Sequence, residues 1–272
     1  MKGQEKLFIW RQEKENKIIM IHINENIYGH KKRLTWFKKF INPQENGLDF
    51  GCGTGAMITS QLIQDGYNIQ GIDLDETSIN LGKKIFQENQ LNPELINCKF
   101  LESFPDFFFD YIITSEVFEH IPKNNLDPIV DLMFQKLKPN GLILCTVPNG
   151  YGWYEFEDFF WKKLKIGYFL RFMLVPQGLN HIRRKLGVYV SKYPSTLDES
   201  PHVRRFTINN LQKYFSSRKF ETINYTGSVL ISGNFSDMIF SSFTFIQNIN
   251  NKLGDLFPKI ASGIYIAVKK ND

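Results

Sequence analysis

Gly51, Gly53 and Gly55 stand at alternate positions after the apolar run Gly47-Leu48-Asp49-Phe50, with Asp49 two residues ahead of the first. Glycines so placed let a strand turn sharply into a helix and let a ligand approach the main chain with no Cβ in the way. The helical pattern from Ala56 to Asp65 then turns free N–H groups toward that ligand. Asp73 closes the run Ile69-Gln70-Gly71-Ile72, 22 residues after Gly51, where an acid accepts hydrogen bonds from ribose hydroxyls. A second group is Ser115-Glu116-Val117-Phe118-Glu119-His120-Ile121-Pro122. On a helical turn Glu116, Glu119 and His120 share one face. His120 can hold a main-chain carbonyl or serve as general base, with Glu119 beside it.

Spacing separates two kinds of cofactor. Nicotinamide and flavin proteins use Gly-x-Gly-x-x-Gly, and here the third glycine comes one residue early. Asp-x-Gly-x-Gly-x-Gly resembles the first motif of the class I S-adenosylmethionine-dependent methyltransferases. The resemblance covers residues 45–148 and, more weakly, 202–226. It implies S-adenosylmethionine as cofactor, with Asp49, Gly51, Gly53, Gly55, Asp73, Leu74, Glu102, Ser103, Ser115 and Glu116 as its binding residues. Two other classes stand against it: a non-catalytic partner subunit on the same fold, and a nicotinamide-dependent reductase. The intact glycines and Asp73 weigh against the first, and the glycine spacing against the second.

Glu-x-x-Glu-His is similar to a motif of the ubiquinone-pathway O-methyltransferases and of the small-RNA 3′-terminal 2′-O-methyltransferases. In both, the acids and the histidine are associated with a divalent metal beside the accepting hydroxyl. That resemblance implies Glu116, Glu119 and His120 as ligands of Mg2+ or another divalent cation, with His202 as the fourth group. A similar His-x-x-x-Phe-x segment reads here His202-Val203-Arg204-Arg205-Phe206-Thr207. Hard carboxylate oxygens suit such an ion, which lowers the pKa of a coordinated hydroxyl. Without the ion, His120 and Glu119 remain the catalytic candidates.

These residues need a frame. Strand signals at Gly47–Phe50, Asn68–Asp73, Leu95–Leu101, Asp110–Thr114 and Leu142–Val147 alternate with helical patterns. Asp75 is a candidate cap for the helix bearing Ile79, Ile85 and Phe86, and a helix over Leu126–Leu137 precedes a turn at Lys138–Gly141. Alternation of this kind predicts an α/β, doubly wound parallel sheet with ligands beyond the carboxyl ends of its strands. Thr207 caps a further helix, Phe220–Tyr225 is a strand, and Ser262–Val268 is the last. The resemblance adds a Rossmann-like seven-stranded order, 3-2-1-4-5-7-6.

The whole of 1–272 reads as one domain. Residues 1–46 form an N-terminal appendage, with a hairpin over Leu7–Trp10 and Ile18–Ile23 and a helix around Lys31–Phe40. Lys31, Lys32 and Arg33 read as a solvated helix face, with contact to an anionic substrate as the alternative. Residues 150–200 and 229–258 are insertions. The first is rich in aromatic and basic residues, which fits a lid over a bulky substrate or a helix at a membrane interface, with the lid preferred.

A net charge of +5 without a clustered basic face argues against nucleic acid. Cys52, Cys98 and Cys145 form no CxxC, so neither a disulfide framework nor a zinc site is indicated. With no apolar leader and no membrane span, a cytoplasmic location is expected. The expected activity is methyl transfer to a hydroxyl of a small molecule or a lipid or glycan precursor. The RNA 2′-O-methyltransferases provide the alternative acceptor. Oligomeric state is not legible here.

Overall fold

The computed structural model describes residues 29–163, 203–233, 236 and 244–271. The expected hairpin near the N-terminus, His202 and most of the first insertion lie outside these residues. Seven strands form one sheet: β1 Gly47–Phe50, β2 Ile69–Ile72, β3 Ile96–Asn97, β4 Phe109–Ser115, β5 Leu137–Pro148, β6 Phe220–Gly227 and β7 Gly263–Lys270. Their order is β3-β2-β1-β4-β5-β7-β6, with β7 antiparallel to both β5 and β6. This is the expected Rossmann-like order, and it puts the ends of β1, β2 and β4 along one rim.

Helices α1 His30–Phe37, α2 Thr59–Gln64, α3 Glu76–Glu88, α4 Lys123–Lys136, α5 Trp153–Lys163, α6 Ile208–Ser216 and α7 Thr244–Leu256 accompany the sheet. Alternate strand residues feed two cores, as a pleated strand requires. On one face Ile143, Cys145, Val147, Ile264 and Ile266 join Leu126, Val130 and Met133 of α4 and Leu211 and Phe215 of α6. On the other, Leu144, Tyr265 and Ala267 join Leu62 of α2 and Leu34, Trp36 and Phe37 of α1. Thus α1 belongs to a core layer, although it precedes β1.

Three elements differ from their sequence patterns. The α2 helix begins at Thr59 rather than Ala56, because the residues after Gly55 complete the turn. The β3 strand keeps only two residues, since Leu101–Ser103 turns into a short 3-10 helix. The β5 strand starts at Leu137 and absorbs the expected turn, with Asn140 at a positive φ of 63°. Other expectations hold locally. Asp75 caps α3 by accepting from the N–H groups of Thr77 and Ser78, and Thr207 closes a reciprocal capping box with Asn210 on α6. Among the described residues no helix is long and apolar enough to cross a membrane.

Candidate functional site

The glycine turn leaves β1 with Gly51, Gly53 and Gly55 at φ of 73°, 56° and 68°, a region that L side chains rarely adopt. It is tightly enclosed at Gly51 and Gly55, while a Cβ on Gly53 would meet nothing within 4 Å. A Cβ on Gly55 would lie 2.9 Å from Ile96 Cγ2, and one on Gly51 would lie 2.7 Å from Val117 Cγ2. Gly82 in α3 lets that helix cross the turn, since a Cβ there would come within 2.3 Å of the Thr54 carbonyl oxygen. A helical glycine costs about 1 kcal/mol against alanine, so this close crossing is its structural return. Nothing in the spacing of the sequence pointed to Gly82.

Two acids hold the turn. Asp73 Oδ2 accepts from Gly53 N at 2.8 Å and its Oδ1 accepts from Asp75 N at 2.8 Å, so one carboxylate ties the β1 and β2 loops together. Asp49 is buried and accepts a 2.6 Å hydrogen bond from the Thr59 hydroxyl beneath the turn. Burial pushes its pKa up to about 7, with repulsion from Asp73 adding to this and the Thr59 bond opposing it. Along the same rim Leu74 is 66% and Phe100 67% exposed, beyond the ends of β2 and β3. Glu102 and Ser103 are exposed in the 3-10 turn, where the Ser103 hydroxyl bonds the Phe100 carbonyl.

At the end of β4 the chain bends through Glu116, whose φ is 57°. Its Oε1 accepts from Thr146 Oγ1 at 2.9 Å and pairs with Arg33 Nη2 at 3.2 Å. Arg33 Nη1 donates to Ser115 Oγ at 2.9 Å. Arg33 is therefore not on a solvated face: its side chain is 12% exposed and turned into the rim. Burial opposes its charge, but Glu116, Tyr265 and Glu119 outweigh this and raise its pKa. Lys32 also departs from the solvated expectation, donating to the carbonyls of Ser228 and Asn251 and to Asp255.

Glu119 and His120 follow in a 3-10 turn, Phe118–His120. Glu119 is 1% exposed, and neither carboxyl oxygen has a hydrogen-bond partner among the described residues. Burial and the nearby Glu116 push its pKa well above the ordinary carboxylate range, against the pull of Arg33. His120 Nε2 stands 3.8 Å from Glu119 Oε1. The Glu119 carbonyl accepts from the N–H groups of Val203 and Arg204 at 2.9 and 3.2 Å, which brings the segment after the first insertion against this turn.

The structure thus gathers Ser115, Glu116, Glu119 and His120 on one side and the glycine turn with Asp73 on the other. Of the expected metal set, His202 lies outside the described residues. Among the described residues no three His, Cys, Asp or Glu side chains are arranged to hold an ion, and Glu116 is engaged by Arg33 and Thr146.

A methyltransferase-domain family model matches residues 20–225, more than half of the chain. The ubiquinone biosynthesis O-methyltransferase of Rickettsia typhi is 30% identical over 38% of this chain and 40% of its own length. The chain therefore spans less than half of that relative. A S-adenosylmethionine-dependent methyltransferase from Archaeoglobus fulgidus superposes with a TM-score of 0.54 at 18% identity, over 88% of this chain and 92% of its own. Phosphoethanolamine N-methyltransferase 2 of Haemonchus contortus, solved with S-adenosyl-L-methionine, has a TM-score of 0.54 at 14% identity, over 89% of this chain and 53% of its own. With the glycine turn, the bridging Asp73 and the strand order on the same chain, it belongs to the methyltransferase-domain family, as a class I S-adenosylmethionine-dependent methyltransferase.

Proposed function

We propose that this chain transfers a methyl group from S-adenosylmethionine to a hydroxyl oxygen of a small molecule, with His120 taking the proton and Glu119 orienting the hydroxyl. The observation that carries the reading is the Glu119 carboxyl group, buried and without a hydrogen-bond partner beside His120 Nε2. Leaving such a group unsatisfied costs about 1–3 kcal/mol. A polar ligand group that enters the pocket removes that cost. Burial favours the protonated form of Glu119, which both donates and accepts and so suits a hydroxyl.

When bound, the cofactor supplies an electrophilic methyl group on a sulfonium. The turn Gly51–Gly55 offers it main-chain contacts free of Cβ atoms. Asp73 has spent two of roughly four lone-pair positions on Gly53 and Asp75, and the others remain for ribose hydroxyls. Leu74 and Phe100 present apolar surface for its base. Glu102, Ser103 and Ser115 line the same rim, and Arg33, with an Nε–H lacking a partner, stands ready for an anionic group. Methyl transfer to oxygen is an in-line displacement, so the protein's main contribution is alignment and exclusion of water. The metal alternative at Glu116, Glu119, His120 and His202 is less well supported, because Glu116 already has a cationic partner.

Purified protein, isotopically labelled S-adenosylmethionine and extracts of small molecules and lipids test this directly, with mass spectrometry detecting the labelled product. The expected product carries the label on oxygen and forms equally well with a chelator present. Loss of turnover in the chelator, restored by Mg2+ or Mn2+, would replace the base by a metal. A label found on nitrogen would overturn the hydroxyl acceptor.

A further inference from the structure

Neighbouring residues on α1 face in different directions, because successive helical positions are about 100° apart. Lys32 faces Ser228, Asn251 and Asp255, and Arg33 faces the end of β4. The Lys32 ammonium lies 2.7 Å from the Ser228 carbonyl, 2.7 Å from the Asn251 carbonyl and 2.9 Å from Asp255 Oδ1. An ammonium has three N–H donors. Three oxygens receive them, so Lys32 has none left for a ligand. Arg33 contrasts with it. The guanidinium has five donors: Nη1 serves Ser115, Nη2 pairs with Glu116, the Tyr265 hydroxyl also interacts with it, and Nε–H has no partner among the described residues. One cation is saturated by its own chain, and the next keeps donors in reserve.

The ground to which Lys32 is tied is itself well anchored. Asp255 also accepts from the Thr226 hydroxyl at 2.6 Å. The Asn250 side chain bonds both the N–H and the carbonyl of Ile231, at 2.8 and 2.7 Å. Ser228 N and Ser262 N join the 228–229 segment to the start of β7. At the head of α1, the Tyr265 hydroxyl bonds the Gly29 carbonyl at 3.3 Å.

We propose that Lys32 is a positioning residue for cofactor binding: by fastening α1 to Ser228, Asn251 and Asp255 it holds the Arg33 guanidinium at Ser115 and Glu116, on the rim of the cofactor pocket. This rests on the methyltransferase reading. It assigns Lys32 no contact with cofactor or acceptor, and its effect passes through Arg33.

A double-mutant cycle tests it, read as the Kd of S-adenosylhomocysteine by calorimetry. Lys32→Met is expected to weaken binding about tenfold when Arg33 is present and to change it less than twofold in an Arg33→Met background, the non-additivity of coupled neighbours. Asp255→Asn, a milder break of the same tie, should show a smaller loss with the same dependence on Arg33. It decides the question if Lys32→Met does not fold. Wild-type affinity in the Lys32 variant, or equal losses in both backgrounds, would overturn the proposal. If the unsubstituted protein does not bind S-adenosylhomocysteine, the methyltransferase reading itself fails, a result distinct from any outcome of the cycle.

Discussion

The two halves of the rim treat their charged groups differently. Where β1 and β2 end, Asp49 is bonded to Thr59, Asp73 to Gly53 and Asp75, and Asp75 to the head of α3. Where β4 ends, Glu119 has two partnerless oxygens and Arg33 an unused Nε–H. Buried polar groups are as a rule satisfied, so unsatisfied ones mark strain or a missing ligand. The first half is a finished cradle, whose shape exists before anything binds. The second has buried polar atoms without partners among the described residues. The contrast fits the proposed division of labour, in which the β1–β2 end and Arg33 serve the cofactor while Glu119 and His120 meet the acceptor.

The largest expected effect lies in the unfinished half. His120→Ala should lower turnover by roughly a hundred- to ten-thousand-fold, the usual worth of a general base, while leaving the Kd of S-adenosylhomocysteine nearly unchanged. Single-turnover rates and calorimetry on the same preparation check both statements. Full activity in this variant would leave alignment alone as the source of catalysis. A parallel loss of cofactor affinity would dissolve the distinction between the halves.

The finished half should respond in binding. Asp73→Ala removes the carboxylate that ties Gly53 to Asp75, and with it a charge-assisted contact to the cofactor. The expected loss is about 1.5–3 kcal/mol, or roughly ten- to 150-fold in Kd. Asp73→Asn should lose less, because its amide oxygen can still accept one of the two main-chain bonds. Equal binding by wild type and the alanine variant would show that the bridge serves only the loop.

The same contrast explains what the sequence revealed. The cradle is local: Asp49, three glycines, Asp73 and the Asp75 cap all lie within 27 residues, and their spacing alone suggests a turn, an acid and a helix start. The β4 end depends on distant pairs. Arg33 meets Ser115 across 82 positions, and Lys32 meets Asn251 across 219. On a helix, a run of Lys-Lys-Arg has the pattern of a solvated face, and no periodicity tells a buried cation from an exposed one when its partners come from elsewhere. Leu34, Trp36 and Phe37, by contrast, are apolar residues on α1 that the fold buries. The two-residue β3 was overestimated for a related reason: apolar Leu101 is buried, but from a 3-10 turn beyond the strand. Glu116, Glu119 and His120 were legible as a group because they are close in sequence. Their division into an ion-paired acid and a partnerless acid was not, since Thr146 and Arg33 create it.

The remaining effect is on stability, and it tests whether the cradle really is complete without a ligand. Burial holds Asp49 at a pKa of about 7, above the value near 4 that the unfolded chain would give it. The folded state therefore keeps a proton that the unfolded state has lost. Between those two values the native form binds more protons, so stability contributed by this group is fully present below about pH 4, falls as pH rises, and levels off above about pH 7. Asp49→Asn cannot ionise and can still accept from the Thr59 hydroxyl. In urea melts at several pH values, its stability should decline less steeply from pH 4 to 7 than that of the wild type. At pH 8 it should match or exceed the wild type by about 1–4 kcal/mol. Taking the difference between the two proteins removes the contribution of Glu119, which is also raised but is common to both. Parallel curves would mean that Asp49 stays ionised beneath the turn. A further polar partner would then have to reach it, and the cradle would be as unfinished as the pocket across the sheet.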